Sequence, residues 1–215
     1  MIADYLPLFL SGLQYTLLVC LSAVFLGIFL GGGLYFISTL NLGICRLFYR
    51  TYVLIFRGTP LLVQVYLVFY GGPLLGLTLN ATQVGILGLG LYASAYFAEI
   101  YRIGFHNIPK GQIESAVDIG LSKSQILWHI QIPQIINLIL PPMTNQFIIL
   151  VKESAILSII TVPELMTAAT KMATETFKVT EPYLLLALSY WLITFSIGKL
   201  GSWLEKKTAY YLVRS

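Results

Sequence analysis

ESAVDIGLSKSQILWHIQIP, residues Glu114 to Pro133, is a polar island in a chain that is otherwise membrane-like. Pro109 and Gly111 break the apolar run before it. Ile113, Ala116, Val117 and Gly120 recur at spacings of three and four, which places them on one side of a short amphipathic helix. Gly120 suits the left-handed residue that ends such a helix. Ser122 with Gln125 three positions later reads as a capping box that opens a second short helix. Pro133 then stands where the chain is expected to turn back into the bilayer.

Around this island, 57% of the 215 residues are hydrophobic and only 10% are charged. A soluble domain carries roughly 25% charged residues, so the chain reads as an all-α integral membrane protein. Leu13 to Ile37 has no charge and is long enough for a hydrocarbon core of about 30 Å. Gly27 and Gly31 in that run permit a close helix crossing. Thr59 and Pro60 are expected to cap a second span, Leu61 to Leu77, which contains Gln64 and the break Gly71-Gly72-Pro73. Val84 to Phe105 forms the third span, with Gly90, Ser94 and Ala98 as a second close-packing stripe. A fourth lies within Ile135 to Ile160, interrupted at Lys152-Glu153, and a fifth runs from Tyr183 to about Trp203. Between these last two, Glu164, Lys171, Glu175 and Lys178 mark Pro163 to Phe177 as a surface helix.

Five spans put the termini on opposite sides of the membrane. Arg46, Arg50, Arg57, Lys110, Lys123, Lys206, Lys207 and Arg214 all fall on one side of that topology. The positive-inside rule makes that side cytoplasmic and leaves the N-terminus outside. Asp4 stands where a signal peptide would be basic, so no cleavable leader is expected.

Several function classes are excluded by what the sequence lacks. The net charge of +4 is spread by topology and not gathered into a nucleic-acid face. Cys20 and Cys45 form no CxxC, and His106 and His129 stand alone, so no metal site is expected. There is no phosphate-binding GxxxxGK[ST], so ATP is expected to be bound elsewhere, and no HExxH or Ser/His/Asp order, so an intramembrane hydrolase has no candidate centre.

Polar residues within the spans are the candidate substrate contacts. A carboxylate at the centre of a span costs about 2.5–3.5 kcal/mol on insertion scales, so Glu153 needs a partner or a wet cavity. Lys152 lies about 100° away around the helix and does not face it. Glu153 therefore lines a cavity and neutralises a cationic side chain, or bridges to another helix, or sits hydrated at the membrane edge. Ser154 and Asn145 add hydrogen-bonding groups to the same span. Arg102 either pairs with Glu99 three residues earlier or faces the pathway and holds a carboxylate. Gln64 either meets substrate or satisfies backbone near the second-span break.

The island also carries a pattern, Glu-x-Ala-x3-Gly-x9-Ile-x-Ile-Pro, filled by Glu114, Ala116, Gly120, Ile130, Ile132 and Pro133. This resembles the Glu-Ala-Ala loop of permease subunits of binding-protein-dependent ABC importers, with Ser115 and Ile132 as small departures. Arg57-Gly58-Thr59-Pro60, Ile108-Pro109-Lys110-Gly111-Gln112 and Lys152-Glu153-Ser154 look like the polar amino acid branch. The resemblance implies a type I importer permease fold, one domain over residues 1–215, with a cytoplasmic coupling loop at about 107–133. It implies that Glu114, Ser115, Ala116, Val117, Asp118 and Gly120 fit a groove on an ATPase. Two ATPase subunits would bind ATP and Mg, leaving this chain without a cofactor. An extracytoplasmic binding protein and a second permease copy or paralogue complete the expected complex, in the cytoplasmic membrane of a prokaryote. The expected substrate is a basic amino acid, the alternative being glutamine or another neutral one. A stand-alone secondary transporter is the rival class, although it calls for inverted repeats that the chain does not display.

Overall fold

The computed structural model describes residues 2–213; Arg214 of the basic tail lies outside them. The chain is helical throughout its main elements, in the order α1 (Ile2–Thr39), α2 (Gly43–Gly58), α3 (Leu61–Tyr66), α4 (Ala81–His106), α5 (Lys110–Asp118), α6 (Lys123–Ile126), α7 (Ile132–Glu153), α8 (Leu165–Thr176) and α9 (Thr180–Val213). Four stretches are long and apolar enough to cross a membrane: Asp4–Thr39, Ala81–His106, Lys123–Ile160 and Thr180–Thr208. A fifth crossing needs α2 together with Leu61–Leu75, two pieces that meet at 104°. The span expected from Leu61 to Leu77 alone is thus the second half of a bent pair.

The seam between α1 and α4 is built on missing side chains. A Cβ on Gly27 would lie 2.7 Å from the Ala93 Cβ, and one on Gly31 would lie 2.8 Å from the Phe97 Cβ and 2.9 Å from the Ser94 carbonyl. Gly90 in turn receives Leu26, whose Cδ2 would be 2.6 Å from an added Cβ. Both glycine stripes read from the sequence therefore meet each other, and Ser94 and Ala98 are fully buried. Residue numbers rise together along the contact (26 with 90, 27 with 93, 31 with 97), so α1 and α4 run parallel. Gly104 meets Ile139 while Gly85 meets Leu157, which makes α7 antiparallel to α4. Gly201 against Thr144 and Gly198 against Ile148 reverse the direction again in α9.

Three local expectations are corrected. Thr59 does not cap α3: its hydroxyl donates to the Ile55 carbonyl and closes α2, while Pro60, extended at φ −61° and ψ 136°, is the N-cap residue. Pro133 does not turn the chain. It falls in the first turn of α7, after a wider helical turn at Leu127–Gln131, where its missing N–H does no harm. Helix α8 is not a surface helix on all sides. Leu165, Ala168, Ala169 and Met172 bury one face of it against the bundle. Glu164, fully buried, accepts hydrogen bonds from the Met166 and Thr167 N–H groups (both 2.8 Å) and from the Tyr190 hydroxyl at 3.0 Å. Lys171, Glu175 and Lys178 do stay exposed. Asn80 and Gln83 form a capping box on α4 that the sequence reading passed over.

Candidate functional site

Two regions carry polar groups beyond what packing needs. The first is the helix pair α5 and α6. Gly120 takes φ +82°, and the Leu121 N–H reaches the Ala116 carbonyl at 3.0 Å while the Gly120 N–H reaches Val117 at 2.9 Å. That double bond pattern is a Schellman end, which fixes where α5 stops. Ser122 and Gln125 exchange the two capping-box bonds, so α6 starts at once. Gln134 of α7 donates to the Gln112 side chain at 2.7 Å and ties α5 to the bundle.

Only Ala116 of the apolar face turns inward and is buried. Val117 and Ile119 are 57% and 77% exposed, and Glu114, Ser115, Asp118 and Gly120 are exposed beside them. Gln112, Ser115, Ala116, Ile119, Ile130 and Gln134 line a surface hollow here. The result is a short rigid helix with apolar side chains held out from the bundle and polar groups around them.

The second region is a cavity of about 380 Å³ at the corner where α2 meets α3. Arg57, Gly58, Thr59 and Pro60 form the corner, Tyr92 and Tyr96 come from the midpoint of α4, and Glu153 comes from the end of α7. A volume in the range of small-molecule sites, roughly 300–1,000 Å³, leaves room for one small polar solute. The tyrosine hydroxyls hydrogen-bond each other at 3.2 Å, and the Arg57 guanidinium lies 4.9 Å over the Tyr96 ring. Glu153 is half-buried and has no hydrogen-bond or ion-pair partner among the described residues.

The other candidate contacts do not gather in this cavity. Ser154 is fully buried and donates to the Val151 carbonyl at 2.7 Å. Asn145 is exposed about two turns earlier on α7. Arg102 grips Glu99 with two bonds, 2.9 and 2.8 Å, so of its two readings the intrahelical pair is the one formed. Gln64 donates to the Phe56 and Thr59 carbonyls at 3.0 and 3.1 Å and to the Thr59 hydroxyl at 2.8 Å, across the break. It is a stitch in the backbone corner. Arg57, Tyr92 and Tyr96 were not singled out as contacts from the sequence. The only signal was Arg57 within the Arg57-Gly58-Thr59-Pro60 phrase.

A hollow in a helical membrane bundle lined by charged and tyrosine side chains, together with a short helix held out from the bundle elsewhere, fits the membrane-embedded part of a transporter. The chain belongs to the family of binding-protein-dependent transport system inner membrane components, whose model matches residues 8–210. It is the permease component of an ABC importer, which sets the secondary transporter aside and brings an ATPase and a binding protein as partners. The probable amino-acid ABC transporter permease protein YckA of Bacillus subtilis is 34% identical over 96% of this chain and 91% of its own length. The arginine transport system permease protein ArtQ of the same organism is 32% identical, with 94% and 93% covered. The putative glutamine transport system permease protein GlnP of Rickettsia typhi is 34% identical, with 92% and 91% covered. A crystal structure of an amino acid ABC transporter with histidines superimposes with a TM-score of 0.90, at 35% identity and 96% of each chain. The MetNI methionine transporter, at 18% identity and a TM-score of 0.79, shares the fold.

Proposed function

We propose that this permease carries a basic amino acid, arginine, lysine or histidine, inward across the cytoplasmic membrane of a bacterium. The observation that carries the reading is Glu153, a carboxylate on the wall of the corner cavity with no protein cation on it among the described residues. A carboxylate and a cation about 4 Å apart interact by about 4 kcal/mol at an effective dielectric of 20. Desolvating both groups removes much of that. A surviving ~1.4 kcal/mol is a tenfold preference for a cation over a neutral amino acid of similar shape. The names of the relatives, which include arginine, glutamine and amino acid permeases, keep the substrate within the polar amino acids.

In this reading two copies of the chain enclose the pathway, and two ATPase subunits bind ATP and Mg below them. Glu114, Ser115, Val117, Asp118 and Ile119 meet those subunits, with Gly120 and Ala116 setting the turn. The basic residues other than Arg57, which lines the corner cavity and not the cytoplasmic edge expected for it, support a cytoplasmic α5 and C-terminus and an outer N-terminus. A binding protein delivers substrate from the outer side, and closure of the ATPases drives alternating access.

The test is Glu153→Gln, which keeps size and removes charge. Uptake into proteoliposomes is compared for a basic and a neutral amino acid delivered by one binding protein. Basic uptake should fall about tenfold more than neutral uptake. An equal loss for both would make Glu153 structural and return the substrate to the neutral alternative.

A further inference from the structure

Arg57 is the second charged group in the cavity, and its donors are unspent. Its guanidinium offers five N–H donors in a planar fork. It forms an ion pair with Glu99 at 3.7 Å, too long for a hydrogen bond, and among the described residues it donates no hydrogen bond. Glu99 is already occupied. Arg102 takes both of its oxygens, and the Tyr49 hydroxyl donates to Oε1 as well. The Tyr96 ring under the guanidinium holds its plane without using an N–H. Arg57 is thus held by Glu99 and Tyr96, lines the cavity, and keeps 41% of its side chain exposed.

One cavity therefore has on its α2 wall a guanidinium that, among the described residues, has spent no hydrogen bond, and on its α7 wall a carboxylate that has no ion-pair partner there. Its complement is a solute with an anion at one end and a cation at the other. A carboxylate matches the guanidinium fork with two parallel bonds, which an ammonium or a neutral amide cannot do. We propose that Arg57 binds the α-carboxylate of the transported amino acid, at the opposite pole from Glu153. The proposal rests on the corner cavity being the substrate site, as the reading of Glu153 does.

The test uses the purified complex of permease and ATPase in nanodiscs, at about pH 6, where the α-amine is protonated throughout. Binding of L-arginine and L-glutamine is measured against the α-amide of each. The wild-type complex should prefer the acid to its amide by about tenfold. Arg57→Gln should abolish that preference by weakening the acid and leaving the amide unchanged. Arg57→Lys should restore part of it, as a charge without a fork. No preference in the wild type, or equal weakening of acid and amide in Arg57→Gln, overturns the assignment. Glu153→Gln in the same assay changes the arginine-to-glutamine ratio and not the acid-to-amide ratio. If glutamine binds and arginine does not, the reading of Glu153 fails while the glutamine pair still decides Arg57. Binding of neither amino acid overturns both.

Discussion

Replacing Gly120 isolates the turn between α5 and α6 from everything else in the molecule. At φ +82° an added Cβ meets nothing within 4 Å, so a side chain here causes no clash. The whole penalty is in the backbone. A left-handed conformation costs an L-residue about 1–2 kcal/mol, and a β-branched side chain makes it a true outlier. A penalty of one or two kcal/mol shifts a local equilibrium by a factor of about 5–30. In Gly120→Val the ratio of molecules that keep the Leu121–Ala116 and Gly120–Val117 bonds to those that lose them should fall by that factor, which loosens the end of α5. Asn tolerates the left-handed region, so Gly120→Asn is the matched control. The assay is the assembled complex with ATPase and loaded binding protein. Uptake and substrate-stimulated ATP hydrolysis should both drop in the Val variant and persist in the Asn variant. The thermal midpoint should not move, because Gly120 touches no span. Wild-type coupling in an assembled Val variant would refute the reasoning, as would an equal loss in both variants.

Gly31→Ala should lower the stability of the purified chain by about 1–3 kcal/mol, because the new methyl meets the Ser94 carbonyl and Ala98 nitrogen of α4, backbone atoms that cannot swing aside. Gly33→Ala, with nothing within 4 Å, should leave the midpoint unchanged; similar effects for the two would mean helix propensity decides and the seam does not. With Cys20 and Cys45 replaced by Ala, single cysteines at Lys110 and Thr78 should label from opposite sides with an impermeant thiol reagent. Labelling of position 110 from outside reverses the proposed orientation.

The spans were legible because composition and charge are read one helix at a time. Local chemistry was also legible where a few neighbouring residues decide it, as at Gly120 and at Ser122 with Gln125. Helix α8 shows where that stops. Its Glu164 looked like one more surface charge, but a hydroxyl 26 residues later, on Tyr190, meets it inside the bundle. Thr59-Pro60 looked like a standard helix start, yet the bend sets the geometry there and Gln64 takes the Thr59 hydroxyl. The cavity was beyond reach for a related reason. Arg57, Tyr96 and Glu153 lie on three helices and converge only after α2 folds back across α4, so no spacing in the sequence announces them.

The parallel seam of α1 and α4 has a consequence for how such a protein can change its cargo. Two neighbouring helices that point the same way oblige the intervening chain to travel back between them. Here the return is a bent crossover, and the hollow sits at its elbow. Rigidity is supplied by Gly27, Gly31 and Gly90 on the seam, whereas the proposed recognition falls to Arg57 on the elbow and Glu153 on α7, none of them a seam glycine. If the corner cavity is the substrate site, substitutions at Arg57 or Glu153 alter what is carried without touching the glycine contacts of the two helices. Scaffold and selectivity are in this sense free to evolve at different speeds.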